Sequence, residues 1–222
     1  MKIIAIETST EICGIAYIEN GKCFDIVEDR IPRQHAEKLP LFYNELIDKT
    51  ELHLSEIDAI AVSIGPGSFT GLRIGLSYSK GLAYSHNKPI VPVPTIQSLL
   101  YGFSNNNNIV AMLLSHGNKY FIQQFYNTNG VFVQDAIEVH ELINIDELKD
   151  IIHDCKIIHF GCDKLFEGAN IENQVIEINP SAKLIGELAH QNYDNWVVKK
   201  PYKLVPDYVS PSKFYPILNG DT

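Results

Sequence analysis

The sequence lacks the motifs that identify several common functional classes. Its 222 residues contain no Cys-x-x-Cys pair, and the cysteines at positions 13, 23, 155 and 162 show no metal-ligand spacing. The eight histidines include no pair four residues apart and no His-Glu-x-x-His, so we expect no metal site. The cysteines are interpreted as four reduced thiols.

Positive charge and long apolar runs are also scarce. Lys and Arg number 18 against 27 Asp and Glu, and the net charge of −9 argues against autonomous binding to a phosphate backbone. Met1-Lys2 leads straight into a strand-like segment without a secretion signal, and no apolar run approaches membrane-spanning length. We therefore expect a cytoplasmic protein whose nucleic acid role would depend on a basic partner.

Strand and helix signals divide the chain into two α/β halves. A polar run at 104–108 separates a predicted first lobe, residues 1–103, from a second lobe, residues 104–222, that ends in a proline-rich tail. Strands are predicted at 2–6, 13–17, 22–27, 59–64, 89–94, 109–114, 120–126, 131–139, 156–160 and 175–178. Helices are predicted at 35–49, 72–84, 96–101, 146–153 and 182–192. Mixed sheets flanked by helices follow from this order.

The most distinctive segment is 63–75, Ser-Ile-Gly-Pro-Gly-Ser-Phe-Thr-Gly-Leu-Arg-Ile-Gly, which lies between a strand and a helix. A turn entering a helix leaves unpaired N–H groups at its positive end, so Gly65, Gly67, Ser68 and Thr70 are candidate anion-binding residues. Ser68 or Thr70 is the expected helix cap. The spacing matches neither the dinucleotide fingerprint nor the P-loop. A turn that only lets the helix pack is equally compatible with the pattern.

Small residues recur every fourth position along the following helix, at Gly71, Gly75 and Ser79. Glycine inside a helix costs about 1 kcal/mol relative to alanine, so this stripe indicates close approach of another backbone. The approach could lie within the domain or across an interface. The helix from His35 carries a broad apolar surface, which fits either burial between neighbours or an interface.

The segments 3–10 (Ile-Ile-Ala-Ile-Glu-Thr-Ser-Thr), 32–35 (Pro-Arg-Gln-His) and 65–75 resemble the TsaB (YeaZ) family. The resemblance covers the first lobe and implies the actin-like, sugar-kinase-like (ASKHA) ATPase fold of two α/β lobes. It implies a non-catalytic subunit that supports TsaD in forming threonylcarbamoyladenosine (t6A) at position 37 of tRNAs reading codons that begin with A. It also implies a heterodimer with TsaD, a larger complex with the TsaE ATPase, a homodimer when TsaD is absent, and only indirect contact with tRNA.

The same resemblance implies an interface formed by two first-lobe helices. On that basis its residues are Leu39, Phe42, Tyr43, Leu46, Gly71, Leu72, Gly75, Leu76 and Ser79. In catalytic members of the fold a first hairpin loop grips phosphate, which adds Thr8, Ser9 and Thr10 to the anion-binding candidates; a turn that caps its own backbone is the favoured alternative. Arg73 is expected to pair with Glu7, the alternative being contact with an anion. No cofactor of its own is expected, apart from the alternative of ATP or ADP at the junction with the partner.

Two segments of the second half depart from the family pattern. Residues 115–121, Ser-His-Gly-Asn-Lys-Tyr-Phe, lack the family's acid, and 206–210, Pro-Asp-Tyr-Val-Ser, lack its final arginine. Gly161 and Gly168 stand alone, without a second phosphate loop, which argues against a self-sufficient actin-like ATPase or kinase. The histidine spacing argues against a metalloprotease.

Overall fold

The computed structural model describes residues 1–101, 108–128, 131–169 and 171–209. The chain divides into two compact units, one of Met1–Ser98 with Pro180–Tyr208 and one centred on Leu99–Asn179. This corrects the predicted second lobe of 104–222, because a helix within Pro180–Tyr208 packs on the first sheet. Most of the polar run that suggested the boundary, and the tail beyond residue 209, lie outside the described residues.

The elements follow one another in this order. The strands are β1 Lys2–Glu7, β2 Ile12–Glu19, β3 Lys22–Arg30, β4 Ala59–Gly65, β5 Ile90–Pro94, β6 Asn108–His116, β7 Lys119–Thr128, β8 Val131–Gln134, β9 Glu138–Glu141, β10 Cys155–Phe160 and β11 Val175–Glu177. The α-helices are α1 His35–Thr50, α2 Phe69–His86, α3 Thr95–Leu99, α4 Asp163–Phe166, α5 Ala182–Gln191 and α6 Tyr193–Trp196. Short 3-10 helices span Leu54–Glu56, Ile145–Leu148 and Pro201–Lys203. None of the helices described is both long and apolar enough to cross a membrane.

A five-stranded mixed sheet forms the centre of the first unit. Its order is β3-β2-β1-β4-β5, with β1 to β3 antiparallel and with β4 parallel to both β1 and β5. Alternate residues of β1 serve opposite faces: Ile4 and Ile6 join the core with α1 and α2, while Ala5 lies against α5. A side chain at Gly186 of α5 would overlap Ile18, so the glycine lets α5 lie close to the sheet.

The second unit contains a six-stranded sheet of order β11-β10-β6-β7-β8, with β9 also paired to β7. Strands β6, β10 and β11 are parallel, whereas β7 runs antiparallel to β6, β8 and β9. Its core joins alternate residues of β6, such as Val110 and Met112, to the buried Ile145, Leu148 and Ile152.

Two predicted elements of this unit are corrected by the structure. The strand predicted at 131–139 is interrupted: 135–137 lie between β8 and β9, opposite only Gln123 and Gln124 of β7, and form a bulge. The helix predicted at 146–153 is only the 3-10 helix Ile145–Leu148. Its buried residues Ile145 and Leu148 are three apart, a spacing that a 3-10 helix satisfies as well as an α-helix does.

Candidate binding site at the glycine loop

The glycine loop, residues 65–68, connects β4 to α2. Gly65 has a φ of +121°, which glycine adopts readily, and a cis peptide bond joins it to Pro66. The Ser68 hydroxyl accepts a hydrogen bond from the Gly71 N–H at 3.2 Å. Ser68, one of the two residues predicted as the cap, is therefore the N-cap of α2. The Ser68 N–H donates to the Ser9 carbonyl at 2.6 Å. One amide of the candidate anion site is therefore engaged by the chain itself.

The rest of the loop lies against the same turn. A Cβ on Gly67 would overlap the Ser9 carbonyl, so the loop backbone packs directly on the segment that follows β1. Thr70, in the first turn of α2, is exposed, and so is Ser68. Of the loop candidates, only these two side chains face solvent.

Thr8, Ser9 and Thr10, which follow β1, are turned toward their own chain. The buried Thr8 hydroxyl donates to the Gly71 carbonyl at 2.9 Å, and the buried Ser9 hydroxyl donates to Glu7. The Thr10 hydroxyl accepts from the Ile12 N–H at 3.2 Å. These contacts are those of a strand-end turn that caps its own backbone, the favoured alternative.

Glu7 is fully buried at the end of β1. One carboxylate oxygen accepts from Ser9, while the other has no hydrogen-bond partner. Loss of hydration raises the pKa of this carboxyl from 4.5 to about 7, although the Ser9 hydrogen bonds act in the opposite direction. A substantial fraction of Glu7 is therefore protonated near neutral pH.

Arg73 does not form the predicted ion pair with Glu7. It lies on the exposed face of α2, where its Nε–H donates to the Tyr208 hydroxyl at 2.7 Å. Its guanidinium stacks 3.8 Å from the centre of the Phe69 ring, and the Phe69 and Tyr208 rings are 4.8 Å apart. The correction has a simple cause: Glu7 is enclosed by the turn after β1, whereas the guanidinium is stabilised outside by two aromatic rings.

Tyr208 belongs to a segment, 201–208, that lies along α2 and that we call the strap. Lys80 Nζ donates to the carbonyls of Tyr202 at 3.2 Å and Leu204 at 2.6 Å. Farther along, the Asp207 N–H donates to the Ile64 carbonyl at 2.7 Å. These contacts are not predictable from local sequence, where the only signal for them is the family-like Pro-x-Tyr at 206–208.

The small-residue stripe of α2 is occupied within the first unit. Gly71, Gly75 and Ser79 are buried, and a Cβ on Gly71 or Gly75 would overlap the Thr8 carbonyl or hydroxyl, respectively. The Ser79 hydroxyl donates to the Gly75 carbonyl at 2.8 Å, inside the helix. The close approach predicted from the stripe thus involves the end of β1, and these three residues are corrected from interface to interior positions.

Four leucines of the predicted interface are interior as well. Leu39 and Leu46 of α1 are fully buried in the core, and Leu72 and Leu76 of α2 have at most 4% of their surface exposed. The cause is that α1 and α2 both pack on the first sheet through these leucines.

The outer side of α1 retains an apolar surface. Phe42 and Tyr43 are half-buried, and Leu41 is 56% exposed. Tyr43 makes an edge-to-face contact with Tyr78 of α2, with 6.0 Å between ring centres. Leu41, Phe42, Tyr43 and Tyr78 are named the α1–α2 seam below.

The described part of the chain contains no group of three or more His, Cys, Asp or Glu side chains arranged to hold a metal ion.

In the second unit, the segment that departs from the family pattern, residues 115–121, contains the turn between β6 and β7. There the Ser115 hydroxyl lies 3.1 Å from His116 Nδ1, and Gly117 has a φ of +58°. Cys13, Cys155 and Cys162 are buried thiols, and burial raises the pKa of the Cys13 thiol to about 12.

The fold defines the class of this protein as actin-like or sugar-kinase-like, with two α/β units on mixed sheets. A structure described as YeaZ from Pseudomonas aeruginosa aligns with 94% of this chain and 99% of that chain, with a TM-score of 0.74 and 22% identity. The inorganic polyphosphate/ATP-glucomannokinase of an Arthrobacter strain aligns with 86% of this chain and 99% of that chain, with a TM-score of 0.51 and 9% identity. The predicted fold class is confirmed.

The sequence comparisons define the family. A family model described as TsaD, tRNA N6-adenosine threonylcarbamoyltransferase, matches residues 26–168, more than half of the chain. The chain belongs to this family and, within it, to the TsaB (YeaZ) proteins, which confirms the resemblance.

Three curated relatives carry the name tRNA threonylcarbamoyladenosine biosynthesis protein TsaB. The Haemophilus influenzae protein is 29% identical over 56% of this chain and 53% of its own length, and the Escherichia coli protein is 30% identical over 62% and 61%. The chain thus spans less than two thirds of the length of these two relatives. The Buchnera aphidicola protein is 26% identical over 94% of this chain and 97% of its own length.

Proposed function

We propose that this chain is a non-catalytic subunit required for t6A formation at position 37 of tRNAs that read codons beginning with A. The reaction is inferred from the names of the relatives and of the matching family. The accessory role rests on the hydrogen bonds at the glycine loop and at the turn after β1. The Ser68 N–H of the loop and the Thr8 and Ser9 hydroxyls of the turn all donate to other atoms of the same chain. A catalytic member of this fold would need free N–H and hydroxyl groups at these positions to bind phosphate. The proposed location is the cytoplasm.

The chain would act by binding a TsaD subunit through the α1–α2 seam. The seam combines Phe42, Tyr43 and Tyr78, half-buried aromatic side chains of the type that occupies the centres of protein interfaces, with Leu41, which is exposed on the outer side of α1. The TsaE ATPase would join this pair in a larger complex, and the same seam would form a homodimer when TsaD is absent. Nucleotide at the junction with TsaD is the remaining alternative for a cofactor.

The seam is tested by Leu41→Glu in the full chain. Because Leu41 is already more than half exposed, its replacement should not change the folded state, whereas a carboxylate inside an apolar interface is costly. We expect affinity for TsaD to fall by about thirtyfold or more, as for a central interface residue. The measurement is co-elution and titration with purified TsaD, together with the melting temperature of each variant.

The matched control is Phe24→Glu, which places the same charge on an apolar residue of β3 that is 64% exposed and does not belong to the seam. It should bind TsaD normally. If Leu41→Glu, Phe24→Glu and the wild type bound TsaD with equal affinity, the seam would not be the surface that binds TsaD.

The function itself is tested in cells and with pure protein. Depletion of the chain should lower t6A in bulk tRNA, and expression of the wild type should restore it. The chain alone should make no t6A. Magnesium-dependent ATP turnover by the chain alone would favour the alternative, a self-sufficient ATPase, and unchanged t6A after depletion would contradict the proposal.

A further inference from the structure

Acidic residues are distributed very unevenly in this chain. Despite the net charge of −9, no Asp or Glu occurs between positions 59 and 134, a span that includes all of α2. A second acid-free stretch, 195–206, contains Lys199, Lys200 and Lys203. Both stretches contribute to the first unit, so its acidic charge is concentrated elsewhere.

The fold brings these two stretches together. Lys80 of α2 donates to the Tyr202 and Leu204 carbonyls, which fixes the start of the strap beside the helix. Residues immediately before the strap are held as well, because Val198 and Ile90 exchange two backbone hydrogen bonds of 2.8 and 3.1 Å. The three strap-side lysines are therefore presented on a fixed backbone next to α2.

The resulting surface is basic and aromatic. Lys199, Lys200 and Lys203 are exposed, and within the described part of the chain none of them takes part in an ion pair. Tyr202 is 68% exposed, and Tyr84, one helical turn beyond Lys80 on the same side of α2, is 92% exposed. We call these six residues, Lys80, Tyr84, Lys199, Lys200, Tyr202 and Lys203, the basic face.

We propose that the basic face contacts the RNA backbone directly when the chain is assembled with TsaD. This inference rests on the proposed function, which supplies tRNA as the substrate of the assembly, and it goes beyond the indirect contact expected from the sequence. Lys199 and Lys203 are four residues apart and so span at most about 13 Å, a length over which a duplex carries roughly eight phosphates. Unpaired lysines match such a row of negative charge.

Exposed aromatic rings distinguish RNA from other negatively charged partners. Tyr84 and Tyr202 offer flat surfaces on which unpaired bases stack, a contact that proteins use to bind single-stranded loops of RNA. An acidic protein would pair with the lysines but carries no bases to stack on the two rings. Asp194 and Asp207 flank the acid-free stretch 195–206 in the sequence and limit the basic face at either end.

The proposal is tested with the complex of the full chain and TsaD, using tRNA as the probe. Each lysine that neutralises a phosphate contributes about 0.9 to the slope of log affinity against log salt. The triple variant Lys199→Gln, Lys200→Gln, Lys203→Gln should therefore bind tRNA more weakly at 50 mM salt. Its loss of affinity between 50 and 200 mM should be roughly fortyfold smaller than that of the wild type.

The matched control is Lys22→Gln, Lys149→Gln, Lys164→Gln, which removes the same charge from exposed positions outside the basic face. This control should retain the wild-type salt dependence. Equal salt dependence of all three proteins would overturn the proposal, and so would loss of TsaD binding by the first variant, since the face would then be a protein contact. t6A formation by the wild-type complex is assayed separately, so that failure of the proposed function is distinguished from failure of the basic face.

Discussion

Replacement of Gly75 by alanine tests whether the small-residue stripe is filled by Thr8. The new methyl group would overlap the Thr8 hydroxyl, which is buried and donates to the Gly71 carbonyl. Rotation of Thr8 about χ1 can move the hydroxyl away from the new methyl group, but only by breaking its hydrogen bond to the Gly71 carbonyl. We expect the variant both to lose this hydrogen bond and to shift the atoms around the new methyl group.

The expected cost follows from three contributions. Overpacking of a dense core costs about 1–3 kcal/mol, and a buried hydroxyl without a partner costs about 1–3 kcal/mol. Removal of a glycine from the helix interior returns about 1 kcal/mol. We expect Gly75→Ala to lower the free energy of unfolding by about 3 kcal/mol, measured by urea denaturation with linear extrapolation.

Two controls make this prediction specific. Gly81 lies in the same helix, and no atom lies within 4 Å of the place that a Cβ would take there, so Gly81→Ala should stabilise the protein by about 1 kcal/mol. In a Thr8→Ala background, Gly75→Ala should be close to neutral or stabilising, which gives a coupling energy of at least about 2 kcal/mol. Stabilisation by Gly75→Ala comparable to that by Gly81→Ala would refute the packing of Thr8 on the stripe.

Two further predictions concern the buried carboxyl and the aromatic cluster. The folded pKa of Glu7, about 7, is above its ordinary value of 4.5, so the folded state retains a proton that the unfolded state releases. The free energy of unfolding should consequently decrease by about 3 kcal/mol between these pH values, and Glu7→Gln should abolish this decrease; an unchanged pH profile in the variant would contradict it. Arg73→Gln and Tyr208→Phe should show a coupling energy of about 1 kcal/mol in a double-mutant cycle, because their side chains are hydrogen-bonded. Arg73→Gln should leave the Glu7 pH profile unaltered, whereas a shift of that profile would indicate the ion pair.

The spacing of apolar residues in the sequence predicted most helices and strands well, since an element that buries one face repeats apolar residues at a regular interval. The short apolar run of β1 and the apolar spacing in α1 and α2 gave these elements within a few residues of their observed ends. The same logic was insufficient for Ile145–Leu148, where buried residues three apart fit two kinds of helix. Assignment of α5 to the first unit depends on contacts between residues far apart in sequence, such as Gly186 with Ile18, and local periodicity contains no information about them.

The candidate site shows the same limit. The cap at Ser68 was predictable because it acts within one helical turn. The stripe correctly indicated a close approach, but a list of small residues does not identify what approaches, and the answer was Thr8. Arg73 was assigned to Glu7 from charge alone, whereas its observed partner, Tyr208, is 135 positions away in the sequence.

The central claim is that this chain supports a transfer reaction performed by TsaD. The most direct measurement is t6A formation in a reconstituted reaction of TsaD, TsaE, tRNA, ATP and a threonylcarbamoyl donor, with and without the chain. Product is expected only when the chain is present, with a strong reduction for Leu41→Glu and none for Phe24→Glu. Full product yield without the chain would contradict the account.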